Sequence, residues 1–134
     1  MGRFFLPILA VTGVLVVATC CSRDSDAKAD TPRGPAVGDP APAFSAPATT
    51  GGTLSLADFA GRVVVLYFYP KDNTPGCIAE AKGFRDAEAD MAALGAQVLG
   101  VSLDGLDSHR KFVEKHGLNF PLLSDVDGRI HDAY

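Results

Sequence analysis

Val63 to Tyr69 reads VVVLYFY, an unbroken apolar run of β-branched and aromatic side chains that Pro70 ends. Such a run fits a strand covered on both faces, the kind found inside parallel sheets. Just beyond it, Thr74 is a good N-cap and Pro75 falls at the first helical position, where a missing N–H costs nothing. Phe84, Ala87, Met91 and Leu94 recur at three- and four-residue spacing, which predicts a helix with one buried stripe, closed by Gly95. Val98 to Val101 predicts a second apolar strand. Strand, helix and strand at this spacing form a βαβ unit with parallel strands and a right-handed crossover, so the expected fold class is α/β.

The flanks extend this unit. Thr53 to Leu56 alternates polar and apolar residues, as a short half-buried strand does, and Gly61 closes a turn. Asp107 or Ser108 is placed to cap a helix running to His116, with Phe112 and Val113 inward, Gly117 as its stop and Leu118 as the apolar contact after it. Phe120 to Leu123 begins another strand, Asp125 to Gly128 is a turn, and Arg129 to Tyr134 starts a further element.

A length of 134 residues holds one globular domain, expected here over residues 48–134. Residues 22–47 are rich in Pro, Ala and Asp and read as a semi-extended linker. Residues 1–21 read as an export signal, because Arg3 precedes the apolar run Phe4 to Ala18. That run is short for a membrane span and contains Pro7 and Gly13; an uncleaved single-helix anchor is the alternative. Val17-Ala18-Thr19-Cys20 resembles a bacterial lipoprotein signal, although Thr19 departs from the usual small residue there. Cys20 is therefore the lipidation candidate, and the folded part is expected at the bacterial cell envelope, periplasmic or membrane-anchored. A net charge of −4 weighs against a nucleic-acid partner. Of three cysteines, two lie at the signal, which leaves Cys77 as the thiol of the domain.

Cys77 is the third helical residue if Thr74 is the cap. A sulfur there lies near unpaired backbone N–H groups and the positive end of the helix dipole, and such positions favour the nucleophilic thiolate. The same spacing suits a small, inert, buried cysteine, and the residues alone leave both open. The Thr74 hydroxyl is placed to donate to the thiolate or to a substrate oxygen, and Glu80, one turn onward, to accept a bond that fixes the loop. His109, His116 and His131 have no ligand set of recognisable spacing around them and read as solvated surface residues. Asp104 and Asp107 read as turn and cap.

The stretch VVVLYFYPKDNTPGCIAEAKGFRD resembles the active-site region of peroxiredoxins, in the Q-type subgroup named for bacterioferritin comigratory protein. The resemblance runs from about residue 37 to residue 134, through VGDPAPAF, GVSLD, SHRKFVEKHGLNFPLLSD and the DG turn. It implies a thioredoxin-like fold, a central sheet flanked by helices, with no cofactor or metal. The family's last strands, last helix and a peroxide-polarising arginine have no counterpart here, so the domain is expected to be incomplete. The resemblance also implies reduction of hydrogen peroxide and organic hydroperoxides. Cys77 would attack the peroxide and become a sulfenic acid, Thr74 would orient the substrate, Pro70 would shield the site, and Glu80 and Arg85 would support it. Lys82 stands where many relatives of this subgroup carry a resolving cysteine, which implies a one-cysteine enzyme served by thioredoxin or another small thiol. A homodimer is one assembly to expect. A thiol–disulfide oxidoreductase would need a second cysteine where Glu80 stands. A non-catalytic binding or holdase-like envelope lipoprotein is the remaining alternative.

Overall fold

The computed structural model describes residues 34–134. The expected signal over 1–21, Cys20, and the linker up to residue 33 lie outside the described residues. Three parallel strands form the main sheet: β3 (Val63–Phe68), β4 (Ala96–Ser102) and β5 (Leu122–Ser124), in the order β3-β4-β5. Ahead of them, β1 (Ser45–Pro47) and β2 (Thr53–Ser55) pair antiparallel, and a 3₁₀ turn, Leu56–Phe59, leads into β3. Helix α1 (Pro75–Ala93) joins β3 to β4, α2 (Leu106–His116) joins β4 to β5, and α3 (Arg129–Ala133) follows.

The folded unit begins ahead of residue 48. Phe44 and Ala46 are buried, β1 pairs with β2 through Ser45 and Ser55, and Ala48 bridges to Leu123 of the main sheet. Composition concealed this because the prolines sit on the exposed side of an alternating strand: Pro47 faces out while Ala46 faces in. An edge strand tolerates proline there.

Side chains of β3 alternate between two cores. Tyr67 joins Val98, Phe112, Phe120 and Leu122 under the helices, while Val64, Leu66 and Phe68 pack against Phe44, Leu99 and Ile130 on the hairpin side. The hairpin and 3₁₀ turn cover less than the helices do. Val64 and Leu66 are consequently only half-buried and Val63, at the start of the strand, is exposed, where the apolar run predicted cover on both faces; Val65, on the helix side, is half-buried as well. Thr74 is the N-cap of α1 with extended backbone, and Pro75 opens the helix. Phe84 and Met91 pack on the core as their spacing predicts. Leu94 does not: it is the C-cap, past the last helical turn, and is 83% exposed. Gly105 caps α2 in place of Asp107 or Ser108, because its extended backbone lets its carbonyl accept from the N–H groups of Ser108 and His109. Gly117, at φ +61, ends α2 with Leu118 buried just beyond.

Gly100 fixes how the helix-side core closes. A Cβ there would lie 2.6 Å from Leu122 Cδ2 and 2.8 Å from the Tyr67 hydroxyl. The missing side chain is the space that the Tyr67 ring fills, and that ring stacks on Phe84 with centroids 4.5 Å apart. Gly100→Ala therefore forces a buried aromatic ring out of its stack, at a cost of about 1–3 kcal/mol. Urea unfolding should show that loss with an unchanged denaturant slope; a change within about 0.5 kcal/mol, the range of an ordinary surface substitution, would contradict this packing.

Candidate active site

In a parallel sheet the carboxyl ends of neighbouring strands lie side by side, and the loops leaving them meet. Phe68 is level with Val101, and the Tyr69 N–H donates to the Val101 carbonyl at 3.1 Å, carrying the pairing one residue past β3. The chain then turns through Pro70 to Asn73 into α1. Asn73 has φ +60, a left-handed conformation that asparagine adopts more readily than most residues. Its side-chain oxygen accepts hydrogen bonds from Lys115 and His116 at the end of α2, each at 3.3 Å.

Cys77 sits at the third position of α1, 6% exposed, in the same core as Tyr67 and Tyr69. The first turn leaves its backbone N–H groups without intrahelical partners. Thr74 lies beside it in sequence and space, but its hydroxyl donates to the Lys71 carbonyl at 3.1 Å, closing the loop, and not to the sulfur. Pro70 is exposed at the start of the loop. Glu80 is exposed and, among the described residues, has no hydrogen-bond or ion-pair partner, so the loop contact expected of it is not formed. Arg85 points the other way: it donates to the His116 carbonyl at 2.8 Å and pairs with Asp86 at 2.7 Å, tying α1 to the end of α2.

The residues that hold the loop are ones the sequence reading placed elsewhere. His109, expected at the surface, is completely buried. Its Nδ1 lies 2.9 Å from Asp72 Oδ2, and its Nε2 lies 3.2 Å from the Leu123 carbonyl. The Tyr69 hydroxyl donates to Asp72 Oδ1 at 2.8 Å, and the Asp72 N–H donates to Asp104 Oδ2 at 2.7 Å. Asp104, itself bonded by the Ser102 hydroxyl at 3.1 Å, thus serves the loop of the neighbouring strand as well as its own turn. The other two histidines are half-buried too: His116 packs on Phe112, and His131 lies 2.7 Å from buried Asp125. The available signal was helical periodicity, since His109, Phe112, Val113 and His116 recur on one face of α2.

Burial opposes ionisation of Asp72, yet the hydrogen bonds from His109, Ser108 and Tyr69 outweigh it and hold the carboxyl below its ordinary value. Burial, followed by the charge of Asp72, pushes the Tyr69 phenol up. Burial also raises Tyr67, with Glu80, Asp72 and Cys77 adding to it. At Asp125, burial is again outweighed, here by bonds from His131 and from the N–H groups at the start of α3.

A parallel sheet backed by two helices, with a cysteine in the first turn of the helix that follows its first strand, is a thioredoxin-like fold of the peroxiredoxin kind. The chain belongs to the AhpC/TSA family, which matches residues 37–134. It is 45% identical over 98 residues to peroxiredoxin Bcp of Bacillus subtilis, covering 73% of this chain and 62% of that one. Among solved structures it is similar to Xanthomonas campestris peroxiredoxin Q at 40% identity and TM-score 0.66, over 68% of this chain and 58% of that one. It is also similar to peroxidoxin BcpB of Mycobacterium tuberculosis at 36% identity and TM-score 0.68, over 72% and 63%. The chain spans less than two thirds of the length of these relatives.

Asp72 and Asp125 bind protons less readily folded than unfolded, so each contributes stability that is complete above the ordinary carboxylate value of 3.8. That contribution is lost as pH falls from there through their lowered folded values. Urea midpoints measured from pH 6 downward should therefore drop below about pH 4, and Asp72→Asn, less stable at pH 6, should show a shallower drop. Parallel pH profiles for the two proteins would refute the assignment at Asp72.

Proposed function

We propose that the chain carries the peroxide-reacting site of a thiol peroxidase and that Cys77 is its nucleophile. The observation that carries this reading is Cys77 in the first turn of α1, nearly buried, at the end of a loop tied to α2 through Asp72 and Asn73 and to Asp104 after β4. The thiolate attacks the outer oxygen of a hydroperoxide: an S–O bond forms, the O–O bond breaks, and the leaving alkoxide takes a proton to give an alcohol, or water from hydrogen peroxide. Cys77 is left as a sulfenic acid, the first rung of thiol oxidation. Thr74 already donates its hydroxyl hydrogen to Lys71, so its oxygen is available to accept the hydrogen of the hydroperoxide and orient it. Pro70, at the mouth of the loop, limits water at the sulfenic acid.

Lys82 follows Cys77 by one turn and a half on α1, where it offers no second sulfur. In this reading an external thiol attacks the sulfenic sulfur and releases water. A second thiol then displaces Cys77 from the mixed disulfide, and thioredoxin is the reductant that fits this chemistry. The apolar start of the chain and Cys20 support an exported, lipid-anchored protein at the cell envelope. Detergent-phase partitioning of the full chain, lost in Cys20→Ala, checks that part; partitioning unaltered by the substitution would refute lipidation at Cys20.

The peroxidase reading is tested by adding one equivalent of hydrogen peroxide to the full chain in the presence of dimedone. A dimedone adduct should appear on the Cys77 peptide within seconds and be absent in Cys77→Ser, and Thr74→Val should slow it by at least about tenfold. Labelling of Cys77 no faster than of free cysteine would overturn the assignment.

A further inference from the structure

The Asp72–His109 pair joins the Cys77 loop to parts of the fold that are distant in sequence. His109 is on α2, Asp72 is in the loop after β3, and Leu123 is in β5. Each ring nitrogen of His109 faces an oxygen that serves as acceptor, the Asp72 carboxylate on one side and the Leu123 carbonyl on the other. Leaving either of these buried partners unmet would be costly. The imidazole thus spans from strand to loop across the interior, with no exposure to solvent. Asp72 is further bonded by the Tyr69 hydroxyl and, through its own N–H, to Asp104, while the adjacent Asn73 is tied to the end of α2.

We infer that His109 is a positioning residue for Cys77: by gripping Asp72 it fixes the loop from Pro70 to Thr74 and hence the first turn of α1 from which the sulfur reacts. This rests on the reading of Cys77 as the reacting thiol. Only four residues separate Asp72 from Cys77, and Thr74, which closes the loop on Lys71, is one of them. Reacting groups displaced by about 1 Å lose up to about a hundredfold in rate. Without His109, Asp72 keeps its bonds with Tyr69 and Asp104, but the loop loses the buried link that runs through α2 to β5, and its other ties to α2, from Asn73, are exposed.

Two substitutions separate the grip from the bulk of the side chain. The amide nitrogen of Asn stands near the position of Nδ1 and can still donate to Asp72, whereas that of Gln stands near Nε2 and reaches Leu123 instead. Full-length His109→Ala, His109→Asn and His109→Gln are compared by the rate of Cys77 with hydrogen peroxide and by amide hydrogen exchange of peptides covering residues 70–78. His109→Gln should lose at least about tenfold in rate, with faster exchange confined to that peptide. His109→Asn should recover most of the rate lost in His109→Ala. Equal rates for the Asn and Gln variants, or exchange that rises evenly over the whole chain, would overturn the inference. If His109→Ala fails to fold, the Asn–Gln comparison decides alone. Should the unsubstituted chain react with peroxide no faster than free cysteine, the peroxidase reading fails, while the exchange pattern of the variants still decides whether His109 holds the loop.

Discussion

Parallel pairing of β3 with β4 is the constraint from which the site follows. Two parallel strands must be joined by a crossover, and the crossover here is α1. Its amino end must therefore begin where β3 ends, with its unpaired N–H groups at the same edge of the sheet as the ends of β4 and β5. Gly100 sets how closely the layers meet, since only its missing side chain lets Tyr67 lie across β4. Placing a cysteine in the first turn of α1 then puts a thiol at the end of the loop that leaves β3, beside donors that the helix leaves unused.

Gathering loops at one edge also gathers polar groups that water no longer reaches, and their pairing decides how rigid the edge is. Asp72 and Asp125 are nearly fully buried, and each is surrounded by donors. Such a pair adds little over an apolar core, but removing one partner of a buried pair costs about 3–5 kcal/mol, so the arrangement resists local change. Tyr67 is the contrast: its hydroxyl is the one buried side-chain polar atom among the described residues without a partner. Its ring is held by stacking on Phe84 and Tyr69 instead. The polar ties therefore sit in the loops and the aromatic packing beneath them, with Cys77 where the two meet.

Much of this was legible in the sequence because local rules act on neighbouring residues. The strand Val63–Phe68, the cap at Thr74 with Pro75, the stop at Gly117 and the place of Cys77 in its helix each depend on a few adjacent side chains. What escaped depends on partners far along the chain. His109 looks like a surface histidine until Asp72 and Leu123 are brought to it, and β1 looks like linker until β2 and Leu123 pair with it. Glu80 and Arg85 were placed near the site by resemblance. In the fold, Glu80 is exposed and without a hydrogen-bond or ion-pair partner among the described residues, and Arg85 serves the joint between α1 and α2. Gly105 as a cap was missed because glycine carries no side chain to announce itself, although its carbonyl does the work.

The central claim is that the fold, and not the thiol by itself, makes Cys77 reactive toward peroxide. The direct measurement is the second-order rate constant of Cys77 with hydrogen peroxide, followed on its own peptide, for the same full chain folded in buffer and unfolded in urea. The account predicts a folded rate at least about a hundredfold above the unfolded one, with the unfolded rate equal to that of free cysteine. Equal rates in the two states would contradict it, since the loop, the helix end and the buried pair would then contribute nothing to the chemistry.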